Sequence, residues 1–154
     1  MSNENFSVPL IKAGTVIDQI PGGKSLKLLQ LLSIKTDHSA VTVGMNLKSK
    51  KIGLKDIIKL SDESLSEQNI KDIAVFAPSA TISVVKDFKV VSKIQASLPN
   101  EIVEILLCPN DNCVTHVEPV KSYLYVRHIK NQIVLQCKYC ERIYQRDQIK
   151  ESQR

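Results

Sequence analysis

The chain has no tryptophan, and its only aromatic side chains are three phenylalanines and four tyrosines, 5% of 154 residues. So few rings leave few platforms on which nucleic-acid bases could stack. No apolar run approaches the roughly 18 residues that a membrane-spanning helix needs. The opening MSNENFSVPL has neither the basic n-region nor the apolar h-region of a secretory leader. These absences set the expectation of a cytoplasmic protein with no membrane and no nucleic-acid partner. Catalytic signatures are missing as well: there is no H-E-x-x-H, no Ser/His/Asp spacing and no carboxylate pair with an evident task. A binding or regulatory protein is expected, not an enzyme. Cysteine is absent until Cys108, and all four then fall within CPNDNC (108–113) and CKYC (137–140).

What is present describes a folded chain. Hydrophobic residues make up 43% and charged residues 24%, close to globular averages of roughly 45–50% and about 25%. A length of 154 residues fits one domain or two small ones. The formal net charge is +5, but four thiolates around one divalent metal would add −4 + 2 = −2, leaving about +3. The basic bias is then mild. KSKK at 48–51 is the densest lysine run and reads as a solvated turn.

LIKAGTVIDQI (10–20) alternates and is rich in β-branched residues, so it predicts a strand interrupted at Gly14, with PGG breaking it. SLKLLQLLSIK spaces its leucines for a helix over 25–35, with Ser25 as the capping residue. AVTVGMNLKS (40–49) and KIGLKDIIKL (51–60) form a hairpin pattern. A second helix is predicted to start at Ser66, stapled by Leu65 and Ile70, to bury Ile70, Ile73, Ala74 and Ala77, and to stop at Pro78. ATISVVKD (80–87) and FKVVSKIQA (88–96) complete a β-α-β-β-α-β order with one extra strand, the ferredoxin-like arrangement. SLPN (97–100) breaks the composition, and beyond it EIVEILL, VTHVEPV, SYLYVRHI and QIVLQC all read as strands, with a helical period only over Arg146–Lys150. The expectation is an α+β protein: a ferredoxin-like antiparallel sheet with two helices over 1–97, and a small all-β metal-binding domain over 98–154.

A piece of about 55 residues rarely stands on its apolar core alone and needs a staple. In a reducing compartment, two close cysteine pairs with 23 residues between them point to a metal rather than to disulfides. Four thiolates close the tetrahedral shell of Zn²⁺ at about 2.3 Å, with no open position for catalysis. Cys108, Cys113, Cys137 and Cys140 are therefore expected to hold one structural Zn²⁺ per chain. Iron is the minor alternative for the same soft donors. His116 and His128 read as ordinary strand residues, and His38 as part of a turn.

DQIPGGKS (18–25) ends like a phosphate-binding P-loop, but the position that needs glycine is Asp18, whose carboxylate would repel phosphate. A capped helix start is the better reading. Two rivals to a regulatory role stay open on the residues alone. One is a zinc-ribbon nucleic-acid binder using Tyr123, Tyr125, Tyr139 and Tyr144, and the other is a rubredoxin-like iron protein.

GTVIDQIP, GLKDIIK, APSAT, VVSK, a short SLP linker and CPNDNC…CKYCE, in this order and at these separations, resemble the regulatory chain of aspartate carbamoyltransferase over nearly the whole length. The resemblance implies a non-catalytic subunit. Its first domain would pair with its copy and bind CTP or ATP as allosteric effectors, and its zinc domain would dock on a catalytic chain. Carried over by residue, Asp18, Lys59 and Lys93 fall where the family contacts ribose, base edge and phosphates. Ile11, Val16, Lys55 and Val90 would line the same pocket. Asn110 and Asn112 in the first cysteine knuckle, and Glu141 after the second, would face the catalytic chain. Around the base pocket this chain departs from the best-known member: Pro9 replaces an acidic residue, Gln19 a histidine and Phe88 a tyrosine.

Overall fold

The computed structural model describes residues 9–34 and 38–149. The chain divides into two compact units, with the boundary between Ser97 and Leu98. Among the described residues no helix is long and apolar enough to cross a membrane.

The first unit is an antiparallel sheet of five strands in the order β2-β3-β1-β4-β5. These are β1 (Gly14–Pro21), β2 (Val41–Ser49), β3 (Gly53–Ser61), β4 (Thr81–Lys86) and β5 (Lys89–Gln95). The first four follow the ferredoxin-like order, and β5 is added at the edge. Helices α1 (Ser25–Leu31) and α2 (Glu67–Phe76) supply the second layer. Alternation puts Ile17 and Ile20 of β1, Ile58 and Leu60 of β3 and Ile82 of β4 on one face, buried against Leu28, Leu32, Ile73, Ala74 and Ala77. Each fully buried aliphatic side chain contributes roughly 1.5–3 kcal/mol. The opposite face carries no helix residue of that core, and it is there that Val16, Asp18 and Lys59 emerge.

Local chemistry explains the ends of the elements. Gly14 opens β1 rather than interrupting a longer strand: its φ is +132°, and a Cβ there would lie 1.9 Å from the Leu60 carbonyl oxygen. Gln19, at φ 58°, is the extra residue of a bulge, and the register against β3 shifts between Ile17 and Ile20. The inserted residue returns Ile20 to the core face. Ser66 caps α2 as expected: its hydroxyl accepts from the Asn69 N–H at 3.1 Å, and Asn69 returns the bond to the Ser66 N–H. The helix expected over 25–35 ends at Leu31, and Lys35 lies outside the described residues. Nor does Ser25 cap it. Lys24 occupies the capping position without a side-chain bond, and the Ser25 N–H is taken at 3.0 Å by Asp56 Oδ2 from β3. That buried carboxylate also accepts from the Asn46 N–H at 2.8 Å. The helix start following Gly22 and Gly23 is thus already occupied by an anion of the chain itself.

The second unit is a four-stranded antiparallel sheet, β6 (Glu101–Val103), β7 (Tyr123–Ile129), β8 (Gln132–Cys137) and β9 (Ile143–Gln145), in sequential order. It is not wholly strand. VTHVEPV, expected to be extended, starts with a short helix α3 (Val114–Val117), and Arg146–Gln148 makes a 3-10 turn. Lys150, the far end of the helical period expected there, lies outside the described residues.

Candidate functional site

The second unit's site grows from two loops at the ends of its strands. In the first, the Cys113 N–H bonds the Asn110 carbonyl at 2.9 Å, and α3 follows at once, with the His116 N–H on the Cys113 carbonyl at 3.0 Å. In the second, β8 delivers Cys137, whose N–H meets the Arg142 carbonyl at 3.0 Å, and the Glu141 N–H returns to the Cys137 carbonyl at 3.0 Å with φ 62° at Glu141. The four Sγ atoms come within 4.8 Å of one another, with Cys108–Cys140 at 3.6 Å and Cys113–Cys137 at 3.7 Å. A tetrahedron with metal–sulfur bonds of about 2.3 Å has edges of about 3.8 Å, so these two separations match its edges and all four donors are close enough to share one ion. Burial pushes the Cys108 and Cys137 thiols up. At Cys113 and Cys140 hydrogen bonds from neighbours outweigh burial and pull the thiols down, Cys113 to about 7. The Thr115 hydroxyl is buried beside Cys113 without another partner, so a thiolate there gives it an acceptor. Donor type, number, spacing and environment all fit a closed structural metal site.

The histidines stand apart from this cluster. His116 lies in α3, not in a strand, and its Nε2 is 2.7 Å from the Cys108 carbonyl oxygen. His128 is on β7, exposed, and His38 is in a turn. Asn110 and Asn112 are joined by a bond from the Asn112 N–H to Asn110 Oδ1 at 3.1 Å, and Asn112 and Glu141 are exposed. On the sheet, the Tyr123 and Tyr125 rings lie 5.3 Å apart, with Lys138 over the first and Arg127 over the second. A face of each ring is thereby engaged within the chain, which weighs against an open base-stacking platform.

The first unit's helix-free face holds a cavity of about 260 Å³. Strand register builds it row by row. Lys59, Val16, Ser83 and Lys93 are successive partners across β3, β1, β4 and β5, and Asp18, Thr81 and Gln95 form the next row. Ile11, Val16, Asp18, Lys59, Val90 and Lys93 all line this cavity. Lys55 does not. Its ammonium instead pairs with Asp18, 2.9 Å from Oδ1 and 3.2 Å from Oδ2. Lys59 is only 8% exposed and donates to the Pro9 carbonyl at 2.8 Å. Burial holds its amine below the ordinary lysine range, with the Asp18 carboxylate pulling the other way. Gln19, Lys51, Thr81, Ser83 and Phe88 also line the cavity. Alternation with Lys93 and Val16 would have found Ser83 and Thr81, whereas only the bulge turns Gln19 inward.

Comparison with known proteins gives one answer for both units. The family model described as aspartate carbamoyltransferase regulatory chain, allosteric domain, matches residues 6–97, and the model described as the metal binding domain of the same chain matches residues 100–150. Aspartate carbamoyltransferase regulatory chains of Aeromonas hydrophila and Neisseria gonorrhoeae are 43% and 45% identical over 152 residues, covering 98% and 99% of this chain and 99% and 100% of theirs. That of Chromobacterium violaceum is 43% identical over 145 residues, covering 94% of this chain and 95% of its own. The chain therefore belongs to the aspartate carbamoyltransferase regulatory chain family, a regulatory rather than catalytic subunit with an allosteric and a metal-binding domain.

Proposed function

We propose that this chain binds CTP or ATP on the helix-free face of its first domain and passes the effect to the catalytic trimers of a cytoplasmic aspartate carbamoyltransferase, controlling pyrimidine synthesis. The observation that carries this reading is the convergence of Asp18, Lys59 and Lys93 on one apolar-walled cavity. A nucleoside triphosphate needs cations for its phosphates and an acceptor for ribose hydroxyls, and a face with lysines at its edges and a carboxylate at its centre supplies both. Asp18 would trade its Lys55 partner for the ribose, or share it. Ile11, Val16 and Val90 would hold the base.

Residues 98–154 would act as the mechanical link, with Zn²⁺ as the metal, because four thiolates at this spacing suit that ion. Asn110, Asn112 and Glu141 would meet the catalytic chain. Edge strand β5 is exposed along its whole length, with Val90, Val91 and Ile94 among its side chains, and is the surface we assign to pairing with a second regulatory chain. The nucleotide acts only through different affinity for two quaternary states, a coupling of about 1–3 kcal/mol.

The test is co-purification with a carbamoyltransferase catalytic chain and an activity assay with and without CTP and ATP. Lys93→Ala should blunt the nucleotide response and leave the assembly intact. Loss of assembly with a normal response would overturn this division of labour.

A further inference from the structure

The cavity holds one cation to which neither the resemblance nor the lysine motifs of β3 and β5 give a role. Lys51 lies in the turn of residues 50–52 between β2 and β3, the run that composition alone marks as solvated, yet it lines the cavity. The turn is fastened there. The Ser49 hydroxyl accepts from the backbone N–H groups of Lys51 at 3.3 Å and Ile52 at 3.4 Å, and donates to Gln19 Oε1 at 2.9 Å. Gln19 is itself held at the β1 bulge by Ser79, whose hydroxyl donates to the Gln19 carbonyl at 2.9 Å. One serine thus ties the lysine-bearing turn to the cavity floor. Among the described residues the Lys51 ammonium has no hydrogen-bond or ion-pair partner, and the same holds for Lys93.

Among the described residues the lining charges are Lys51, Lys59 and Lys93 against Asp18. Lys59 is engaged by Pro9, so the two amines open to an anion come from opposite sides, one from the β2–β3 turn and one from edge strand β5. Between β3 and β5 lie β1 and β4, a span of about 14 Å at the usual strand spacing.

We propose that Lys51 is a second phosphate-holding arm of this cavity, engaging the phosphate tail of a nucleoside polyphosphate from the side opposite Lys93. The inference rests on the nucleotide reading above and adds a specificity to it. A single phosphate held at Lys93 leaves Lys51 without an anion, whereas a longer tail reaches both arms. The cavity therefore selects by phosphate number through Lys51.

The experiment is calorimetric titration of the full-length chain with adenosine mono-, di- and triphosphate, for wild type, Lys51→Gln, Lys93→Ala and, as a charge control, Lys50→Gln. Lys51→Gln should bind the triphosphate about tenfold more weakly, the worth of one charge-assisted contact. It should leave the monophosphate unchanged and flatten the salt dependence of triphosphate binding, while Lys51→Arg restores affinity and Lys50→Gln matches wild type. Wild-type triphosphate affinity in Lys51→Gln, with Lys93→Ala weakened, would overturn the role of Lys51 and leave the nucleotide reading standing. So would equal weakening of all three nucleotides. Failure of the wild-type chain to bind any of them would overturn both.

Discussion

The two units are made of the same antiparallel strands, yet they are held together by different means. The first packs a layer of isoleucine, leucine and alanine between sheet and helices, with Ile17, Ile58, Leu60 and Ile73 fully buried. The second has a far smaller apolar interior, chiefly Ile102, Leu106, Leu124 and Leu135, and gathers four sulfurs beside it. A sheet backed by helices carries its own driving force. A four-stranded sheet without that layer relies on a bond that the side chains make only when an ion is present. The difference assigns the two units different weaknesses.

The widest gap between them should open on metal removal. A chelator with a thiol trap, or Cys137→Ser, should unfold residues 98–154 and leave residues 9–97 folded, because structural metal binding is folding energy of order ten kcal/mol. Amide dispersion in NMR spectra reads both units at once, and a metal-free tail with native dispersion would break the contrast. Next in size, Ile58→Ala empties a fully buried site in the first unit and should cost about 2–5 kcal/mol there, visible as a shift of one thermal transition and not the other.

Acid sharpens the comparison further. The Asp56 carboxylate is buried, which raises its proton affinity, but bonds from the Asn46 and Ser25 backbone outweigh this and hold it below the usual carboxylate value. A carboxyl depressed by folding contributes stability above its unfolded value, and that contribution fades as pH falls through the folded one. The first unit should therefore weaken only below about pH 4. The second should lose its metal at higher pH, because protons compete for thiolates. Asp56→Asn should cost about 1–3 kcal/mol at neutral pH and flatten the acid limb of the first transition. The smallest effect belongs to Ser66→Ala, about 1 kcal/mol through loss of the α2 cap. Denaturant midpoints of the first unit measure it.

What was legible from residues alone follows the same division. The metal cluster could be read because four cysteines in two short loops have few other uses, and the α2 start because the capping Ser66 and the stapling pair Leu65 and Ile70 lie close together in the sequence. What escaped depends on distant partners. Asp56 caps a helix 31 residues away in sequence, and no local pattern carries that bond. The bulge at Gln19 requires knowing where β3 runs. In VTHVEPV the β-branched residues favoured a strand, but the bonds that close the first cysteine knuckle continue into a helical turn. Lys51 looked like one more solvated lysine because the serine that bends its turn inward acts on a strand 30 residues earlier. The cavity residues Asp18, Lys59 and Lys93 were found through resemblance. Alternation explains their common face, but nothing short of the sheet order makes them neighbours.

Strand β5 sends Val90 and Lys93 into the cavity and is also the outer rim of its sheet. A small molecule tugging on Lys93 and a neighbouring chain zipped along that margin would therefore grip the same seven residues. Occupancy of the pocket and the fit of the seam then become one mechanical variable, and a message could leave the domain sideways without disturbing the packed interior beneath.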